Sequence, residues 1–103
     1  MTMSESASAS EVLVGGTATA LSITTTAQEV KVGGTRLSGR QQLWMCNRSN
    51  TVVYWSPSNA PATNGMPLAK EEKVALPAGD FTIYVATASG TATLHVIELA
   101  GAI

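Results

Sequence analysis

The chain has one histidine, His95, one aspartate, Asp80, and one cysteine, Cys46. Any nucleophilic or acid–base device must therefore be assembled from these groups. A Ser-His-Asp arrangement would need His95 as base and Asp80 to orient it. His95 lies inside an alternating run, Thr93 to Ile97, whereas Asp80 follows Gly79 in a turn, and no Gly-x-Ser-x-Gly motif is present. His95 reads as a solvent-facing or hydrogen-bonded structural residue. Cys46 with His95 would make a thiol–imidazole pair, but a lone cysteine in an apolar run reads as a small hydrophobe. One Cys, one His and scattered carboxylates offer no metal-ligand spacing. Glu71 and Glu72 stand between Lys70 and Lys73, the pattern of a solvated turn or strand edge, not of an acid–base dyad. The stretch GGTRLSG at 33–39 lacks the Lys-Ser/Thr of a phosphate loop and the strand–helix context of a dinucleotide fingerprint. Asn-Arg-Ser at 47–49 formally matches a glycosylation acceptor, with no secretory signal to bring it into use. The expectation is a protein with no catalytic set, no cofactor and no metal.

The elements that would carry these residues are short. The chain has 103 residues, enough for one domain with a modest core. Only 13% of residues are charged, roughly half the usual share, and Ser, Thr, Ala and Gly fill the deficit. Such a weakly solvated surface suits packing against other proteins. The net charge is −1 with no basic cluster, which argues against nucleic acid as a partner. No apolar run approaches the length of a membrane-spanning helix. The first ten residues, MTMSESASAS, have neither the basic start nor the apolar stretch of a secretory signal, and one cysteine forms no internal disulfide. These features fit synthesis in a cytoplasm. Residues 1–10 read as a flexible arm and 11–103 as the single domain.

After Glu11 the turn signals come at regular intervals: Gly-Gly at 15–16 and 33–34, Ser-Gly at 38–39, Asn-Arg-Ser-Asn at 47–50, Pro-Ser-Asn at 57–59, Asn-Gly at 64–65, Pro-Ala-Gly-Asp at 77–80 and Ser-Gly at 89–90. The intervening stretches are rich in Val, Ile, Thr and aromatics, the types that suit a pleated, half-buried surface. They predict strands over 11–14, 18–24, 28–32, 41–47, 51–56, 72–76, 81–87 and 91–98. AKEEKVA, 69–75, is the one stretch with a helical pattern, and it is too short to stand alone. Period-two alternation across so many short runs predicts an all-β domain, a small antiparallel β-sandwich or jelly-roll-like fold.

Both tryptophans, the cysteine and one of the two tyrosines fall within RQQLWMCNRSNTVVYWSPS, 40–58. The spacing predicts one β-hairpin, with 41–47 and 51–56 as arms and a turn around Arg48, Ser49 and Asn50. Leu43 and Met45 would then face the core opposite Val53 and Trp55. Ile83, Val85, Leu94 and Val96 complete the predicted core by the same alternation. Trp44, Cys46 and Tyr54 would share the outer face, where a second sheet or subunit would have to cover them. They are the candidate protein–protein contact residues.

The succession LSGRQQLWMCNRSNTVVYWS, NGMPLAKEEKVALP and FTIYVATASGTATLHVIELA resembles small β-sandwich virion proteins of tailed bacteriophages. Gly39 and Arg40 match a Gly-Arg pair, and Leu43, Met45 and Asn47 an alternating strand ending in Asn. Tyr54 matches a first Tyr-bearing strand, Asn64, Gly65 and Leu68 a middle loop, and Tyr84 a second Tyr-bearing strand. Ser89 to Ala92 match a Ser-Gly-Thr-Ala turn, and Glu98 a closing Glu. The resemblance spans about residues 20 to 99; Trp44 and Cys46 depart from it, where smaller or polar residues are expected. It implies a non-enzymatic structural protein on the virion, a capsid decoration or cement protein bound to the major capsid protein. A minor tail, head-fibre or adaptor protein contacting other virion proteins is the alternative. It further implies a homo-oligomer, most simply a homotrimer, since symmetry multiplies one contact over a lattice. A reading of a different class is a carbohydrate-binding module in which Trp44 and Tyr54 stack on sugar rings.

Overall fold

Alternating apolar and polar side chains build strands through about half of the described residues. The computed structural model describes residues 13–101; the expected arm, 1–10, lies outside the described residues. The strands are β1 (Leu13–Ile23), β2 (Gln28–Glu29), β3 (Arg40–Asn47), β4 (Val53–Ser56), β5 (Met66–Leu68), β6 (Lys73–Leu76), β7 (Tyr84–Thr87) and β8 (Ala92–Gly101), and one helical turn, α1 (Pro61–Asn64), links β4 to β5. They form two four-stranded sheets, sheet I in the order β1-β8-β3-β6 and sheet II in the order β2-β7-β4-β5.

One pairing rule generates both sheets. β1 pairs with β8, β2 with β7, β3 with β6 and β4 with β5, all antiparallel. The first half of the chain thus runs beside the second as a single ribbon folded at the β4–β5 connection. Rolling that ribbon sets β8 beside β3 and β7 beside β4. The result is the strand order of a jelly roll, an antiparallel all-β sandwich. No helix among the described residues is long and apolar enough to cross a membrane.

The core lies between the sheets. Along β8, residues 92, 94, 96 and 98 are buried and 93, 95 and 97 exposed, the signature of a strand with one face on a core. Leu43, Met45, Leu94 and Val96 from sheet I meet Val53, Val85, Leu68 and the flanking Val30 and Ile83, with Ile23 closing the layer. Each fully buried aliphatic side chain contributes about 1.5–3 kcal/mol relative to exposure.

Several expectations are corrected. Residues 41–47 and 51–56 are not a hairpin, because β3 lies in sheet I and β4 in sheet II. The segment between them crosses from one sheet to the other, and Asn47 is its pivot. Asn47 is fully buried. Its Nδ2 donates to the Thr51 and Leu68 carbonyls, both at 2.8 Å, and its Oδ1 accepts from the Ser49 N–H at 3.0 Å and hydroxyl at 2.7 Å. These bonds turn the chain away from β3 and tie the crossing to β5. The Gly15-Gly16 pair does not turn the chain: one strand runs from Leu13 to Ile23 with a register shift between Leu13 and Gly15. Gly16 is needed for close approach, since a Cβ there would stand 2.6 Å from Leu99 Cδ2 and 2.8 Å from the Glu98 carbonyl. The strand expected over 72–76 is present as β6, and the one helical turn among the described residues, Pro61–Asn64, lies where none was expected. Met66–Leu68, which carries Pro67, is an edge strand the turn signals concealed. Trp55 is half-buried at the margin of the core and not within it.

Candidate functional site

The outer face of sheet I is where the chemistry-bearing side chains gather. Strand register lays two rows across all four strands. One runs Ala18, Ile97, Trp44, Ala75, and the next Ala20, His95, Cys46, Lys73. Trp44 and Ile97, 40% and 42% exposed, form the apolar centre of this face. The Trp44 indole N–H donates to Gln42 Oε1 at 3.0 Å, which holds the ring against the sheet. Beside it, Trp44, Met45, Cys46, Lys73, His95 and Ile97 line a shallow depression of about 140 Å³. Alanines on β1 and β6 leave the flanks of the face low.

Of the three predicted contact residues, Trp44 and Cys46 share this face and Tyr54 does not. Tyr54 belongs to sheet II, opposite Ala86 and Pro67, where α1 packs on β4 and β7. The sheet switch at Asn47 puts the thickness of the sandwich between Tyr54 and Trp44. A sugar-binding platform built from both rings is therefore absent from this geometry. The titratable groups are dispersed as well. Cys46 and His95 are cross-strand neighbours, but Asp80 follows Gly79 in the loop beside Arg40, at the other end of β8. Among the described residues, no three His, Cys, Asp or Glu side chains gather as a metal-holding group.

The strongest electrostatic feature lies inside the sandwich. Arg40 and Glu98 form an ion pair at 2.9 Å, and each side chain is 1% exposed. Arg40 also donates from Nε to the Gly79 carbonyl at 2.9 Å, from one terminal nitrogen to the Phe81 carbonyl at 2.7 Å, and from the other to the Val30 carbonyl at 3.4 Å. Glu98 accepts the Val32 N–H at 3.0 Å and the Leu37 N–H at 3.4 Å. The pair thus clamps the loops after β2 and after β6 onto the ends of β3 and β8. The strand expected over 28–32 is only Gln28–Glu29; beyond it the Val30 N–H still donates to the Ile83 carbonyl at 2.8 Å, and the Val32 N–H is taken by Glu98. Sequence reasoning did not pair these residues, although a signal existed. Glu98 continues the inward parity of Leu94 and Val96, and a carboxylate at an inward position needs a buried partner.

Seven of the residues that carry the resemblance belong to this framework, the core or the turns that set it. Arg40 and Glu98 pair; Leu43, Met45 and Leu68 are core; Asn47 is the pivot. Gly39 precedes β3 with φ of 72°, a left-handed conformation that glycine adopts at little cost. These positions of the pattern hold the sandwich together, while Trp44 and Cys46, which depart from it, lie on the outer face.

A second surface was not anticipated. Trp55, Pro57, Leu76, Pro77, Ala78, Phe81 and Ile83 line an apolar groove of about 370 Å³ where the sheets part. Phe81, the single phenylalanine of the chain, is 71% exposed at this groove. The signal was a large aromatic directly after the Pro-Ala-Gly-Asp turn, which the strand assignment 81–87 absorbed; the ladder begins only at Tyr84. Comparison of the chain with family models, with curated proteins and with solved structures gave no match.

Proposed function

We propose that the chain is a non-enzymatic structural protein of a tailed-bacteriophage virion, a capsid decoration or cement protein. On this reading it is made in the host cytoplasm, sits on the capsid surface and binds the major capsid protein lattice as a homo-oligomer. The observation that carries the reading is the outer face of sheet I: a broad surface of small neutral side chains centred on Trp44 and Ile97, with Cys46, Lys73 and His95 as its ionisable groups. A face of this kind offers area and an aromatic anchor for protein contact. The separation of His95 from Asp80 supports binding over catalysis. The sequence resemblance points the same way, and jelly rolls are common among viral structural domains, an argument by analogy of fold.

The test is copy number and binding. In particles of the phage that encodes the chain, the expected count equals that of the major capsid protein or a simple fraction of it. Purified chain added to particles lacking it should fill the same number of sites, and Trp44→Ala should weaken that binding at least tenfold while the variant stays folded. A handful of copies per particle would move the protein to the tail, a head fibre or an adaptor. No association with particles would refute the reading.

A further inference from the structure

Sheets I and II have four edges among the described residues, and three are blunted. β2 is two residues long with Glu29 and the adjacent Lys31 beside it, β5 is three residues with Pro67 at its centre, and β6 is four residues carrying Lys73. Shortness, charge and proline are the usual ways in which proteins keep an edge from pairing with another chain. β1 has none of them. It is eleven residues long, LVGGTATALSI, without a charge or a proline. Its register shift lies at the extreme start, between Leu13 and Gly15, and pairing with β8 is regular from Gly15 to Ile23. A long, uncharged strand at an edge left bare by the described residues is best held by pairing on both sides.

We infer that β1 pairs antiparallel with β1 of a second copy of this chain, joining two copies of sheet I into one continuous eight-stranded sheet about a two-fold axis. Length selects this partner: the other edges among the described residues are two to four residues long and cannot cover β1. Charge permits it, because β1 carries no ionisable side chain and laying it on itself opposes no like charges. Size permits it as well, since the central side chains Thr17, Ala18, Thr19 and Ala20 are small. The contact is isologous and closes at two copies; the threefold assembly expected from the resemblance does not arise from it. The inference rests on the homo-oligomer part of the proposed function and not on the particle.

The experiment is sedimentation equilibrium of the full chain without particles, combined with amide hydrogen exchange at rising concentration. The wild type should show a mass twice the 10.6 kDa of one chain, and alternate β1 amides, those pointing away from β8, should gain protection as it forms. Ala18 is exposed on the outer face, so Ala18→Lys and Ala18→Glu leave the core untouched. Each alone should weaken self-association about tenfold through like-charge apposition across the axis, and an equimolar mixture of the two should restore it. A monomer at high micromolar concentration, a three-copy mass, unprotected β1 amides, or single variants that are not rescued by mixing would each overturn the pairing. A chain that pairs in this way yet ignores particles would leave the inference standing and sink the capsid reading alone.

Discussion

Removing the Glu98 carboxylate should be among the most damaging single changes this domain can suffer. In Glu98→Ala the Arg40 guanidinium stays in place, 1% exposed, with its charge uncompensated. Breaking a buried ion pair from one side costs about 3–5 kcal/mol. A domain of this size has roughly 5–15 kcal/mol in total. With an m value of about 1 kcal/mol per molar urea, the urea midpoint should fall by about 3 M or more at unchanged m. The informative control is the double variant Arg40→Met with Glu98→Leu. Replacing a buried ion pair by apolar side chains is often neutral or stabilising, but here the pair also serves five backbone groups. The Val32 and Leu37 N–H groups and the Val30, Gly79 and Phe81 carbonyls would all lose their side-chain partner. Gly79 and Phe81 lie close enough to solvent to be rehydrated, whereas Val30 is fully buried. Each backbone group left buried without a partner costs about 1–3 kcal/mol, so the double variant should remain about 2–4 kcal/mol below wild type. A double variant as stable as wild type, or more so, would refute the reasoning, because the clamp would then be a dispensable ion pair and not an anchor for loops.

Asn47→Ala should cost about 2–3 kcal/mol, since it strips the pivot of two donated and two accepted hydrogen bonds; an unaltered urea midpoint would show that the sheet switch does not depend on it. Gly16→Val should lose about 1–3 kcal/mol through collision with Leu99 and the Glu98 carbonyl, whereas a position that merely turned the chain would tolerate the change better. Trp55→Ala should cost about 2 kcal/mol, below the roughly 3–5 expected for a fully buried aromatic, because Trp55 lies at the margin of the core; calorimetry of the variant distinguishes the two. Trp44→Ala should change stability by less than about 1 kcal/mol, as suits a side chain 40% exposed on the outer face; a larger drop in melting temperature than Trp55→Ala would contradict the assigned faces.

Alternation along a strand is a local property, and it was written in the sequence. The parity of Leu43 and Met45, of Val85, and of Leu94 and Val96 was legible because successive side chains on a strand point to opposite sides. So was the all-β class, from short alternating runs set off by turns. The sheet in which each strand lies was not legible, because pairing is set by partners remote in sequence. Asn-Arg-Ser-Asn has the composition of a hairpin turn, and what makes it a crossing is the buried side chain of Asn47 reaching Leu68, 21 positions on. That one difference separates Tyr54 from Trp44 and dissolves the three-residue contact site read from the sequence. Gly15-Gly16 likewise looked like a turn, and only the packing of Leu99 over Gly16 shows a glycine that allows close approach. Arg40 and Glu98 stand 58 positions apart. Nothing local in the sequence pairs them, and only the rolled ribbon brings them together in a space that excludes solvent. The sequence by itself determined which way side chains point from their own strand; the tertiary structure alone decided what they meet there, because in a jelly roll every strand pairing except β4 with β5 joins distant parts of the chain.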